Sequence, residues 1–176
     1  IAKKIFTQSA SLALNIARSY KGDPYLSYFD LLTAIALHAF KTEKMDWVVL
    51  ETGLGGLADS TNVTAKELCV LTRVGLDHQQ VLENSLWEIA TEKIGITNPN
   101  VPIIVANQVA ELKPWLIEKF RSSNVPYYFV NDTFKEHFPE IKVSTEFISK
   151  PRVACIQTSL CAMQVLFDGN FSEKKK

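Results

Sequence analysis

Apolar positions recur at helical spacing over residues 3–20, where Ile5, Leu12, Ala13 and Ile16 share a face with the small Ser9. Lys21-Gly22-Asp23-Pro24 interrupts the pattern. A second helix is predicted over 28–41, carrying Leu31, Leu32, Ile35, Leu37 and Phe40. Residues 45–50 then form a short apolar run with the β-branched Val48 and Val49, which predicts a buried strand. Similar runs at 68–72, 102–106 and 126–130 predict three more strands. Helical patterns over 85–94 and 111–122 separate them, and Ser85 and Glu88 stand at the spacing of a capping box. Residues 131–151 carry no clear period, 153–167 suit a helix, and the polar tail 168–176 is expected to fray.

Strands alternating with helices predict an α/β fold with a mainly parallel sheet of four or more strands. The strand runs are continuously apolar, as expected where helices cover both faces. Ligands of such sheets bind beyond the carboxyl ends of the strands. The loops after Leu50 and Thr72 are therefore the first places to look for chemistry.

Composition narrows the classes. Of 176 residues, 47% are hydrophobic and 22% charged, and the 19 basic and 19 acidic side chains cancel. A neutral chain gives no electrostatic reason to bind nucleic acid or an anionic membrane surface. No apolar run is long enough to span a bilayer, and Lys3 and Lys4 are followed by no signal-peptide core. Cys69, Cys155 and Cys161 are too few and too scattered for a disulfide framework or a zinc site, which fits a reducing cytoplasm. Asn62-Val63-Thr64 and Asn131-Asp132-Thr133 match the glycosylation pattern by chance on this reading. The absence of an initiator Met suggests a fragment, or a processed or trimmed product.

Three clusters carry candidate chemistry. Glu51 ends the first predicted strand, and Gly53, Gly55 and Gly56 follow in a loop that can turn sharply and approach a ligand. This is neither the dinucleotide fingerprint nor a phosphate loop, and a plain glycine turn explains it equally well. Asp77 and His78 follow the second predicted strand, where the imidazole suits a metal, although most single histidines are structural. Lys93 closes a short helix, where a cation complements the dipole.

Taken together, these clusters resemble one family. Tyr28-Phe29-Asp30-Leu31-Leu32-Thr33, Glu51-Thr52-Gly53-Leu54-Gly55-Gly56-Leu57-Ala58-Asp59-Ser60-Thr61-Asn62, Leu71-Thr72-Arg73-Val74-Gly75-Leu76-Asp77-His78 and Glu92-Lys93-Ile94-Gly95-Ile96 are similar, in order and spacing, to motifs of folylpolyglutamate and dihydrofolate synthases of the Mur ligase superfamily. The likeness is strong over 25–106, weaker to 130 and vague beyond.

The resemblance implies an ATP-dependent ligase. ATP phosphorylates the folate carboxylate, the amine of L-glutamate attacks the acyl phosphate, and phosphate leaves, with two Mg²⁺ ions screening charge. It implies Glu51, His78 and a carbamylated Lys93 as metal ligands, with His78 and Lys93 as the catalytic residues. It implies that Leu26, Ser27, Tyr28 and Phe29, with Ala58, Asp59 and Ser60, contact the pterin of a folate or dihydropteroate. On this reading residues 1–150 form a partial central domain of the ligase, and 151–176 a C-terminal helix and tail.

Departures from the family pattern accompany the likeness. Leu57-Ala58 replaces the usual Arg-Leu, and Arg73 stands in place of a small residue. No Gly-Lys-Ser/Thr phosphate loop occurs, so the phosphate-loop strand should be missing and the piece inactive by itself. The sheet edge so exposed invites self-association. Two alternatives stand beside this reading: another Mur-type amino acid ligase, and a non-catalytic degenerate paralogue used for binding.

Overall fold

The computed structural model describes residues 3–22, 25–75, 85–141 and 149–168. They fall into two compact units, Ile1–Thr64 and Ala65–Lys176.

The first unit is a helix pair followed by a glycine-rich loop. Helix α1 (Lys3–Ser19) packs on α2 (Tyr28–Thr42). The contact runs through small residues: Ser9 and Ala13 are buried on α1 and Ala39 on α2, which lets the backbones approach closely. Ser9 Oγ lies 2.9 Å from His38 Nδ1 across this contact. The face predicted for α1 is therefore only partly right, because Leu12 and Ile16 remain exposed beside the small-residue seam. Ser27 caps α2 by accepting the Asp30 N–H at 3.1 Å, and Asp30 returns the bond by accepting the Ser27 N–H at 2.7 Å. A 3₁₀ turn, Ser60–Val63, closes the unit.

The strand predicted at 45–50 is not formed. These residues take part in no strand pairing, and Val49 is 96% exposed. Apolar, β-branched sequence favours an extended backbone, but a strand exists only where a neighbour supplies ladder hydrogen bonds.

The second unit holds the sheet. Strands β1 (Cys69–Leu71), β2 (Ile103–Val105) and β3 (Tyr127–Phe129) are parallel and adjacent in chain order, with Cys69, Ile103 and Tyr127 in register. The described sheet thus has three strands. Each pairing starts at a proline: the Cys69 N–H donates to Pro102 O at 2.9 Å and the Ile103 N–H to Pro126 O at 2.8 Å. A proline lacks the donor but keeps the acceptor, so it suits the first position of a strand.

Helices α3 (Leu86–Ile94) and α4 (Leu112–Ser122) follow β1 and β2. Leu112, Leu116 and Phe120 form a buried stripe at four-residue spacing. They pack with Cys69, Leu71, Ile103, Val105 and Ile89 into one core. Alternate strand residues Ile104 and Tyr128 join a second core with Val130, Phe134 and Cys161 from α5 (Val130–His137) and α6 (Lys150–Asp168). Helices cover both faces of β2 and β3, as their continuous apolar runs predict, while Val70 on β1 remains 39% exposed. Helix α5 was not expected. It leaves β3 with no intervening turn and with no side-chain cap at Phe129, so no start signal marks it. The fraying expected of the tail concerns residues 169–176, which lie outside the described residues.

Candidate functional site

In the first unit the two stretches assigned to the pterin by resemblance are tied to one another. The Ser60 hydroxyl donates to Asp30 Oδ1, while Asp30 Oδ2 holds the Ser27 N–H. One carboxylate thus joins the 3₁₀ turn to the first turn of α2. The Phe29 ring lies over the glycine loop: a Cβ at Gly53 would stand 2.6 Å from Phe29 Cζ. Gly55 turns the chain with φ 69°, a region that other residues enter only under strain.

Asp59 organises the loop from its far end. Its Oδ2 accepts the N–H groups of Gly53 and Leu54, each at 3.0 Å. Its Oδ1 accepts the N–H and the hydroxyl of Thr61. Four donors occupy the usual acceptor sites of one carboxylate. Burial pushes the Asp59 carboxyl up, but the bonds from Thr61, Leu54 and Gly53 outweigh it and hold it below the ordinary value. Asp30 is also held low, first by the Ser60 hydroxyl and then by Ser27.

Leu26, Tyr28 and Ala58 are exposed around this cluster, Tyr28 at 77%. Asp30 and Thr61 are the residues that sequence reasoning missed. Ser27-x-x-Asp30 is itself a capping-box pattern, so the signal for Asp30 was available.

The implied metal ligands are divided between the two units and residues outside the described part. Glu51 is an exposed residue of the first unit. Lys93 is half-buried in the last turn of α3, in the second unit. Asp77 and His78 lie outside the described residues. Among the described residues no group of three or more His, Cys, Asp or Glu side chains is placed to hold a metal ion. Mg²⁺ takes hard oxygen donors, which Glu51 offers and an unmodified Lys93 ammonium does not. Cys69 and Cys161 are buried, and burial raises both thiols, Cys161 to about 11. No described helix is long and apolar enough to cross a membrane.

No protein-family model matches the chain. A dihydrofolate synthase/folylpolyglutamate synthase of Buchnera aphidicola subsp. Baizongia pistaciae is 26% identical over 169 residues, 93% of this chain and 40% of that protein. The Bacillus subtilis protein of the same name is 35% identical over 139 residues, 75% of this chain and 32% of that protein. Among solved structures, Escherichia coli FolC in complex with DHPP and ADP superposes with a TM-score of 0.63 and 31% identity, over 73% of this chain and 30% of that one. This chain therefore spans well under half the length of these relatives. The two curated relatives are named for folate chemistry and neither for cell-wall assembly.

Proposed function

We propose, on the premise that this chain belongs to the folylpolyglutamate synthase/dihydrofolate synthase family, that the complete protein joins L-glutamate to a folate or dihydropteroate at the expense of ATP. The folate carboxylate takes the γ-phosphoryl group, ADP leaves, and the glutamate amine displaces phosphate from the acyl phosphate to form an amide. Within the complete protein, residues 1–150 belong to the central ligase domain and 151–176 to a C-terminal helix and tail.

One observation carries the reading. Two stretches separated in sequence, around Phe29 and around Asp59, are joined in one unit by Asp30, Ser60 and the fit of Phe29 on Gly53. An exposed aromatic pair beside a fixed glycine loop suits a flat heterocycle. Leu26, Ser27, Tyr28, Phe29, Ala58, Asp59 and Ser60 surround it in this proposal. Tyr28 and Phe29 supply the apolar contact. Ser27, Asp59 and Ser60 already hold backbone or side-chain partners, so they act chiefly by shaping the loop.

We further propose that Glu51, His78 and Lys93, the last as its carbamate, become Mg²⁺ ligands in the complete protein. The described part of this chain does not by itself make such a site. The protein is placed in the cytoplasm on this reading, and the β1 edge offers a route to self-association. Light scattering that finds only monomer at high concentration removes that last element.

The deciding assay measures phosphate release by the complete protein with ATP, folate and L-glutamate. Release that depends on all three substrates is expected, and the 176-residue chain alone should give none. Release indifferent to folate, or to glutamate, sinks the proposal.

A further inference from the structure

The chain leaving β1 is held by a side chain from the next strand's exit loop. Gln108 Oε1 accepts the Val74 N–H at 2.9 Å. Gln108 Nε2 donates to Thr72 O and to Ala106 O, each at 2.9 Å. Just before this clamp, the Ala106 N–H donates to Leu71 O at 2.8 Å, the last backbone rung between the two strands. The Gln108 amide therefore stands in for a peptide group and continues the β1–β2 pairing past the end of β1.

Arg73 sits between the two clamped residues. Thr72 is fixed through its carbonyl and Val74 through its N–H, and the Val74 side chain is locked in the core at 1% exposure. The Arg73 backbone is thereby pinned on both sides while its side chain is exposed. It forms no ion pair among the described residues. The position is the carboxyl end of a parallel strand, where open α/β sheets take their ligands. A guanidinium there has five donors in a planar fork, matched to phosphate or carboxylate oxygens.

We propose that Arg73 binds an oxyanion of the substrates at this edge and that Gln108 is its positioning residue. The shared chemistry is a phosphate or carboxylate group. The sources are the ATP phosphates or the carboxylates of folate and L-glutamate, an assignment that rests on the ligase reading. Neither residue needs to take part in bond making. Arg73 adds binding, and Gln108 keeps the backbone that carries it at one place on the edge.

The test uses the complete protein with Arg73→Ala, Arg73→Lys and Gln108→Leu. Arg73→Ala should raise KM for one anionic substrate about tenfold, the worth of a charge-assisted hydrogen bond, with kcat little changed. A shift for ATP assigns phosphate, and a shift for folate or glutamate assigns a carboxylate. Arg73→Lys should recover part of the loss. Gln108→Leu should raise the same KM as Arg73→Ala. Where Gln108→Leu does not fold, Gln108→Glu serves, since it keeps the acceptor for Val74 and loses the donors to Thr72 and Ala106. Unchanged KM values in Arg73→Ala overturn the proposal. So does a Gln108 variant that lowers only the thermal midpoint.

A second measurement separates this inference from the ligase reading. The Arg73 Nε–Hε resonance is followed while inorganic phosphate or L-glutamate is added. A saturable shift that weakens in the Gln108 variant supports the site even if the protein proves to have no ligase activity. No shift with either anion overturns the site even if the ligase activity is found.

Discussion

The ring of Phe29 occupies the space that a side chain at Gly53 would need, with Phe29 Cζ 2.6 Å and Cε1 2.8 Å from the position of a Cβ there. The ring is partly exposed, so it can swing outward when crowded. Gly53→Ala should therefore cost only about 1 kcal/mol of stability, at the low end for overpacking. It should weaken folate binding by the complete protein up to about tenfold, because the aromatic surface is displaced. Thermal unfolding and equilibrium binding measured on the same variant check this. A large loss of stability with unchanged binding would contradict it.

Asp30 and Asp59 make the first unit sensitive to acid. Both carboxyls are held below their ordinary value in the folded chain. A depressed carboxyl contributes stability that is complete above the unfolded pKa of about 3.9 and is lost as pH falls through the folded value. The contribution of the two groups should be full and constant across neutral pH. Below about pH 4 the amides of Gly53 and Leu54 should lose protection from hydrogen exchange. Protection lost already near pH 6 would assign the loop's stability to some other group. Asp59→Asn should loosen the loop at neutral pH, since an amide offers one oxygen where four donors converge. A local cost on the order of 1 kcal/mol or more is expected.

Ser85 and Glu88 form a complete capping box on α3, with the Ser85 hydroxyl oxygen accepting the Glu88 N–H at 3.2 Å and Glu88 Oε2 accepting the Ser85 N–H at 2.9 Å. Ser85→Ala should lower stability by about 1 kcal/mol, and Ser85→Asp should keep most of it. A urea titration of the variants reads the difference. Equal midpoints for Ala and wild type would mean that the packing of Ile89 and Ala90 holds the helix start by itself.

Lys93 tests the proposed metal chemistry. In the complete protein Lys93→Ala should lower activity by about a hundredfold or more, the usual effect of removing a group that stabilises transition-state charge. Added bicarbonate should restore nothing, because the variant has no amine to carbamylate. Near-normal turnover would leave Lys93 as the last-turn cation of α3 and nothing more.

The sequence carried most of the second unit. The helices at 86–94 and 112–122 and all three strands lie where local period and turn signals put them. The Ser85–Glu88 box could be read directly, because a cap is a contact between near neighbours. The same holds for Ser27 and Asp30, whose spacing is visible even though its use went unread.

The features legible in the sequence are therefore local: where the capped helices start, which runs favour extension, and which motifs stand in family order. Tertiary structure decided the rest. Residues 45–50 have strand composition but join no pairing, since pairing depends on a partner and not on propensity. Helix α5 begins without a cap because packing of Val130 and Phe134 against Cys161 and Ile104 takes the place of a local signal. Ser60 meets Asp30 across 30 residues of chain, and Gln108 reaches Thr72 across 36. Nothing in either residue's neighbourhood announces such a bond, because it exists only once the fold has brought the two backbones within reach.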